Sequence, residues 1–184
     1  MGLLDVASAG FARVGENVRI YDFTRLTEVA QISFGDNVLV DDFVFLQGGT
    51  GLRIGSYVHI ASHAGITGGG SASLGDFCGI ASGARILTGS DLFDGSGLIG
   101  PTVPVERRAV ERRHTSIGDH AFVGANAVVH PGVRIGAGAI IGSGSVVRED
   151  IAPWTINVGA PTRVVGMRPS AVILDHARNL GFPG

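Results

Sequence analysis

The feature that most constrains this chain is a repeat of short hydrophobic units with fixed spacing. A large apolar residue followed by glycine recurs every 20 residues in the first half of the chain, at Val14–Gly15, Phe34–Gly35, Ile54–Gly55 and Leu74–Gly75. After an interruption, apolar residues recur at every sixth position from Ile117 to Val147. Self-similarity at a fixed period is the sequence signature of a repeat architecture, so the repeat has to be explained before any single motif.

A period of six fits neither a helix of 3.6 residues per turn nor one continuous alternating strand, but it fits a short strand followed by a turn. Three such units close one triangular coil. Coils stacked about 4.8 Å apart satisfy each other's backbone hydrogen bonds, and their inward aliphatic side chains form a continuous core. The repeat therefore predicts an all-β prism of six or seven coils. We expect the glycine after each inward apolar residue to permit a turn conformation that a side chain would oppose.

Composition excludes several classes of protein. Net charge is −2 and charged residues make up 16% of the chain, so the basic surface expected of a nucleic-acid-binding protein is missing. A single cysteine, Cys78, cannot form an internal disulfide or a thiolate zinc site, and we expect it to be a buried apolar residue. No apolar run approaches the roughly 20 residues of a membrane span, and the N-terminus does not resemble a signal peptide. These features predict a cytoplasmic protein without nucleic-acid partners.

The repeat units resemble those of the hexapeptide-repeat acyltransferases, whose fold is a left-handed parallel β-helix. Examples are residues 54–59 (IGSYVH) and 135–140 (IGAGAI), and residues 157–165 (NVGAPTRVV) are similar to the closing segment of these enzymes. The resemblance extends from Val14 to about Val158. It implies that the coils wind in the left-handed sense.

We predict one domain with five parts. Glycines, prolines and a charged stretch indicate that one of these parts is a loop that interrupts the coils. The C-terminal extension carries apolar residues at helical spacing after Pro169, which predicts a short capping helix. The parts are an N-terminal cap (1–12), coils (13–87), an extruded loop (88–116), further coils (117–158) and the C-terminal extension with its helix (159–184).

The family resemblance implies an enzyme that transfers an acetyl group from acetyl-CoA to a sugar. The acceptor is a hydroxyl or amino group on a sugar, a nucleotide sugar or a precursor of surface polysaccharide, and the family's active sites lie between the subunits of a homotrimer. Two alternatives stay open. One is a non-catalytic β-helix scaffold or binding protein, and the other is a metalloenzyme similar to the γ-carbonic anhydrases, although His59 and His63 fall at different phases of the repeat.

Three residues are candidates for catalysis by direct transfer with a histidine base. His59 precedes an inward isoleucine and points outward, and Gly79, one coil away, should leave open space for a substrate beside it. His114 stands where the loop returns to the coils and resembles a histidine of serine acetyltransferase. Asp91, in a segment similar to Thr-Gly-His-Pro of galactoside acetyltransferases, replaces that family's base region and is expected to orient an imidazolium or to be a turn residue.

Two further features concern ligands. Glycines gather at one corner in the segments 48–49 and 68–70 and at Gly89, which predicts either a trough for an extended ligand or close packing between subunits. For acetyl-CoA, the resemblance implies backbone amides and small side chains against the pantetheine arm and two arginines against the phosphates. The residues are Gly124, Ala125, Gly142, Ser143, Arg148 and Arg163.

Overall fold

Stacked triangular coils form the body of the protein, and they confirm the predicted left-handed parallel β-helix. The computed structural model describes residues 2–183. Met1 of the predicted cap and Gly184 of the predicted C-terminal extension lie outside the described residues. Each complete coil contributes one short strand to each of three sheets, so the sheets are the three faces of a prism.

The first face is an eight-stranded sheet in which seven strands are parallel and the last, at the end of the stack, is antiparallel to its neighbour. In spatial order, its strands are β1 (Arg19–Ile20), β4 (Leu39–Val40), β7 (His59–Ile60), β10 (Gly79–Ile80), β15 (Phe122–Val123), β18 (Ile140–Ile141), β20 (Thr155–Val158) and β21 (Arg163–Met167).

The second and third faces are wholly parallel sheets. The second consists of β2 (Arg25–Thr27), β5 (Phe45–Gln47), β8 (Gly65–Thr67), β11 (Arg85–Leu87), β16 (Val128–Val129) and β19 (Val146–Val147). The third consists of β3 (Ile32–Phe34), β6 (Gly51–Ile54), β9 (Ser71–Leu74), β14 (His114–Ile117) and β17 (Arg134–Ile135).

The interruption of the repeat is an extruded hairpin. Strands β12 (Gly89–Asp91) and β13 (Val110–Arg112) pair in the antiparallel sense. A short 3-10 helix at Val105–Arg107 lies in the loop between them, and a second one lies at Val29–Gln31. The coil resumes at His114, which already pairs with Ser71 of the preceding coil.

The core is a column of inward apolar side chains contributed by the parallel strands of the three faces. Parallel register places equivalent residues of successive coils directly above one another, so each packs on the next. Full burial of such a side chain contributes about 1.5–3 kcal/mol to folding. On the first face the column consists of residues that are at most 1% exposed, namely Ile20, Val40, Ile60, Ile80, Val123 and Ile141.

The glycines that follow the inward apolar residues have a different role from the one predicted. Their φ angles are not in the left-handed region; instead Asn37, Tyr57 and Phe77, two residues further on, have φ of 56°, 57° and 59°. At Gly35, a Cβ would lie 2.8 Å from the backbone carbon of Gly55 in the next coil. Close approach of successive coils, rather than turn conformation, therefore requires glycine at this position.

The left-handed turn residues of one corner form an aromatic ladder. The rings of Tyr57 and Phe77 stack with centroids 5.0 Å apart, and Phe77 stacks on His120 at the same distance. Above His120, Arg168 donates hydrogen bonds to the carbonyl oxygens of His120 and Gly138 and lies over the ring of Trp154. His120 is thus a stacked, partly buried residue of the ladder.

The C-terminal helix α1 (Ala171–Asn179) is present, but it does not cap the end of the stack. It lies along the aromatic ladder, where Ile173 and Ala177 line a cavity together with Phe77 and His120. Phe182 then packs edge-on against Tyr57 and Phe77. The antiparallel strand β21 covers the last coil instead and turns the chain back toward the ladder.

The ladder predicts a pH dependence of stability that depends on His120. Desolvation lowers the pKa of His120, and the Arg168 cation lowers it further, whereas Asp119 and Asp76 raise it. The unfolded chain therefore binds a proton more readily than the folded one, so stability is complete above about pH 6.5 and decreases as the pH falls below that value. His120→Phe keeps a stacking ring and removes the titration. Between pH 7.5 and pH 5.5, the Tm of the wild type should fall by a few degrees more than that of the variant; equal decreases would contradict this account.

Candidate active site

His59 points outward from the first face, as its position in the repeat predicts, and it is paired with a carboxylate. Its Nε2 lies 3.1 Å from Oδ2 of Asp41, and 52% of the His59 side chain is exposed. Parallel pairing places His59 between Leu39 and Gly79. Sequence reasoning did not find Asp41, although the 18-residue separation puts it just past the equivalent strand of the preceding coil.

The predicted open space beside Gly79 is partly filled. A Cβ on Gly79 would lie 2.7 Å from the ring of Phe122, the next residue in the same outward column. The phenylalanine therefore covers the glycine from the following coil. A substrate can reach His59 from the solvent side of the face, but not through a gap at Gly79.

Asp91 holds the base of the extruded loop. Its Oδ1 accepts a hydrogen bond from Nη2 of Arg108 at 3.0 Å, and its Oδ2 accepts one from the backbone N–H of Gly100 at 3.1 Å. The hydrogen bond from Arg108 is the main reason why the pKa of Asp91 lies below its ordinary value. Within residues 2–183, no imidazole contacts this carboxylate, and both of its oxygens hold the loop.

His114 lies at the start of β14 on the third face, where it contacts two serines of the preceding coil. Its Nδ1 is 2.9 Å from Oγ of Ser71, and its Nε2 is 3.1 Å from Oγ of Ser73. The imidazole borders a cavity of about 290 Å³ that is also lined by Thr50, Gly51 and Arg53. Both ring nitrogens of His114 therefore have a serine hydroxyl as partner within the chain.

The structure does not bring the three predicted catalytic residues together within one chain. His59 belongs to the first face, His114 to the third, and Asp91 to the hairpin. Asp91 pairs with Val110, four residues before His114 along the returning strand, which corresponds to about 13 Å of extended chain.

The two predicted phosphate-binding arginines do lie together. Arg148 and Arg163 line a cleft of about 510 Å³ beside the last coils, with Glu149, Pro161 and Thr162. The antiparallel return of β21 places Arg163 beside the corner that carries Arg148. The cleft carries two cations and one carboxylate.

Of the four backbone amides predicted to contact the pantetheine arm, the two glycine amides are already used between coils. The N–H of Gly124 donates to the carbonyl oxygen of Ile141, and the N–H of Gly142 donates to that of Asn157, each at 2.8 Å. These amides hold the stack together. Within residues 2–183, the N–H groups of Ala125 and Ser143 donate to no acceptor, so these two amides and the small side chains remain the predicted contacts with the arm.

The cluster of corner glycines is explained by packing of the chain on itself. A Cβ on Gly49 would lie 2.2 Å from the carbonyl oxygen of Gly70, and one on Gly70 would lie 2.3 Å from that of Thr88. Successive coils therefore touch through their backbones at this corner. Neither a ligand trough nor contact between subunits is needed to account for these glycines.

Two further observations concern reactive groups and metals. Cys78 is buried as predicted, and desolvation raises the pKa of its thiol to about 12. Within residues 2–183, no group of three or more histidine, cysteine, aspartate or glutamate side chains is arranged to hold a metal ion. His59 faces Asp41, whereas His63 stacks on Phe43, so these two histidines do not form a ligand pair.

Comparison with known proteins identifies the family. The model of the bacterial transferase hexapeptide, six repeats, matches residues 114–149. A serine-to-threonine variant of AntD, an N-acyltransferase from Bacillus cereus crystallised with dTDP and coenzyme A, is 34% identical to the chain; the alignment covers 95% of this chain and 93% of AntD, with a TM-score of 0.90. The chain belongs to the hexapeptide-repeat acyltransferase family.

Other structures support the same classification of this acyltransferase. A serine-to-cysteine variant of AntD, solved with dTDP-4-amino-4,6-dideoxyglucose and coenzyme A, has 34% identity and a TM-score of 0.89, and the alignment covers 96% and 94% of the two chains. The acetyltransferase VCA0836 from Vibrio cholerae, solved with acetyl-CoA, is 21% identical over 87% of this chain and 73% of its own, with a TM-score of 0.59, and shares the fold. No curated protein sequence matches the chain significantly.

These comparisons confirm the predicted enzyme class, an acyltransferase. They do not test the predicted site residues, which stay predictions. In the described part of the chain, no helix has the length and apolar character needed to cross a membrane.

Proposed function

We propose that this acyltransferase moves an acyl group from a CoA thioester to the amino group of a dTDP-linked amino sugar. The observation that carries the proposal is the similarity to AntD over nearly the whole length of both chains, since AntD was solved with a dTDP-amino sugar and coenzyme A together. The sequence alone left hydroxyl and amino acceptors open. AntD was also solved with 3-hydroxybutyryl-CoA, so the acyl group includes candidates larger than acetyl.

For the donor, we assign the cleft between Arg148 and Arg163 to the phosphates of the CoA thioester. Two guanidinium groups on one cleft suit a diphosphate, because each can donate paired hydrogen bonds to phosphate oxygens. The small residues Gly124, Ala125, Gly142 and Ser143 on the neighbouring coils leave room for a narrow, extended arm. Contacts with this arm come from the amides of Ala125 and Ser143 and from the small side chains, since the glycine amides serve the stack.

For the proton acceptor, we assign His59, positioned by Asp41. Of the two candidate histidines, His59 is the one with a ring nitrogen that makes no hydrogen bond to residues 2–183. When Asp41 accepts the hydrogen of Nε2, the lone pair of Nδ1 is available, and the carboxylate stabilises the ring once it is protonated. The amine nitrogen bonds to the thioester carbonyl carbon, its proton passes to Nδ1, and the carbon–sulfur bond breaks. The sulfur then receives the proton from the ring.

We assign Asp91 to the positioning of the acceptor-side loop rather than to proton transfer. Arg108 and the Gly100 amide occupy both carboxylate oxygens and lower the pKa of Asp91, and such a carboxylate is a weak base. Its position fixes the hairpin that separates the two sets of coils.

We further propose a cytoplasmic homotrimer with active sites between subunits. A contact between copies would bring the first face, with His59, close to the corner that carries the loop and the arginine cleft. One chain cannot do this, since these features lie on different faces of the prism. The single buried cysteine is compatible with a reducing compartment.

The first prediction concerns the reaction itself. Purified protein should release free thiol from acetyl-CoA or 3-hydroxybutyryl-CoA in the presence of dTDP-4-amino-4,6-dideoxyglucose, and mass spectrometry should detect the N-acylated sugar nucleotide. A dTDP-sugar with a hydroxyl in place of the amine is the matched control and should give no release. Faster release with the hydroxyl sugar would show O-acylation instead. Absence of both turnover and CoA binding would favour the scaffold alternative.

The second prediction concerns His59. His59→Ala should lower kcat by about 100-fold or more, the range expected when a general base is removed, and should leave the Kd for CoA unchanged. Asp41→Asn, which keeps the ring but removes the carboxylate, should lower kcat less. The matched control is His63→Ala, an exposed histidine of the same coil, which should retain wild-type turnover. Full activity of His59→Ala would rule out this base.

A further inference from the structure

The third face carries an outward column whose first six residues are all serine or arginine. Parallel pairing places one such residue on each of six successive coils. In order they are Arg13, Ser33, Arg53, Ser73, Ser116 and Arg134. A second column beside it contains Gly51, Ser71 and His114. The six residues include no carboxylate; the next residue of the first column is Asp150, which accepts a hydrogen bond from the backbone N–H of Arg134 at the far end of the face. This face is therefore cationic and rich in hydroxyl groups.

The centre of this face is hollow. The cavity of about 290 Å³ lies between Arg53 and His114, with the hydroxyl groups of Thr50, Ser71 and Ser73 on its walls. The space is open at Gly51, where a Cβ would meet no atom within 4 Å. A group of several ångströms can thus enter and be surrounded by hydrogen-bond donors.

The hydrogen bonds of His114 suit an anion in this cavity. A protonated imidazole has two N–H groups and donates to Oγ of both Ser71 and Ser73. Both serine hydroxyl hydrogens are then free to point into the cavity. A neutral ring has one lone pair, so one of the serines must donate its hydrogen to the ring instead. In the arrangement with both serines as acceptors, the serine hydroxyl hydrogens and the Arg53 guanidinium all direct donors into the cavity, which suits an anion.

We propose that this cavity binds the diphosphate of the acceptor sugar nucleotide, through Arg53, Ser71, Ser73 and His114. The assignment rests on the proposed function, which requires two substrates that each carry a diphosphate. The arginine cleft at Arg148 is a separate cationic site. It lies two coils beyond His114 and four beyond Arg53, or about 10 Å and about 19 Å at the spacing of stacked strands. The donor and the acceptor can therefore bind side by side, and His114 acts as a binding residue rather than as the base.

The test measures dTDP and CoA binding to the full-length protein by calorimetry. Arg53→Gln should weaken dTDP binding by about 10-fold or more, as expected for loss of a charged hydrogen bond, and should change the Kd for CoA less than twofold. Ser73→Ala should weaken dTDP binding in the same direction. Arg25→Gln is the matched control, because Arg25 is an exposed arginine on an outward position of another face, and it should bind both ligands like the wild type.

The possible outcomes separate this inference from the function on which it rests. If the wild type binds dTDP and acylates the amino sugar, but Arg53→Gln has the wild-type Kd for dTDP, the cavity assignment is wrong and the function stands. If Arg53→Gln loses CoA affinity and keeps dTDP affinity, the cavity belongs to the donor and the assignment to the acceptor is overturned. If the wild type binds no dTDP, both are overturned.

Discussion

Backbone contact between successive coils is the interaction on which the rest of the structure depends. The N–H of Gly35 donates to the carbonyl oxygen of Ile54, and the N–H of Gly55 donates to that of Leu74, each at 2.8 Å. Such bonds form only if the coils approach closely along their whole perimeter, and the repeated glycines permit that approach. A single coil leaves these groups unpaired, so the coils are stable only as a stack.

In the stack, the strand register determines where each functional residue lies. Residues 20 positions apart in the first coils lie one strand spacing apart on the same face, which creates columns such as Leu39, His59 and Gly79. Function is then added in two ways. Outward positions can carry functional side chains without affecting the core. One coil is interrupted by the hairpin that carries Asp91. The rigid prism holds these additions at fixed separations.

The sequence was sufficient to predict the fold, because a period of six has one simple structural explanation. The position of a residue in the repeat also decides whether its side chain points inward, without knowledge of its contacts. The sequence predicted the outward direction of His59 and the burial of Cys78 for the same reason. The sequence did not predict the features that depend on contacts between coils. Gly79 was predicted to leave space, but the residue that covers it, Phe122, is 43 positions away and beyond the loop. The partners of His114, Ser71 and Ser73, are likewise separated from it by the hairpin, so the register across the insertion had to be known first.

The central claim is direct transfer between two substrates bound at the same time. Cys78 is a poor covalent carrier, since burial raises the pKa of its thiol to about 12, and the cationic cleft and the cationic cavity lie apart. The most direct test is the initial rate as a function of both substrate concentrations. Double-reciprocal plots should give intersecting lines, because both substrates must be bound before either product leaves. Parallel lines, with a burst of free CoA in the absence of acceptor, would show a covalent acyl-enzyme and contradict the account.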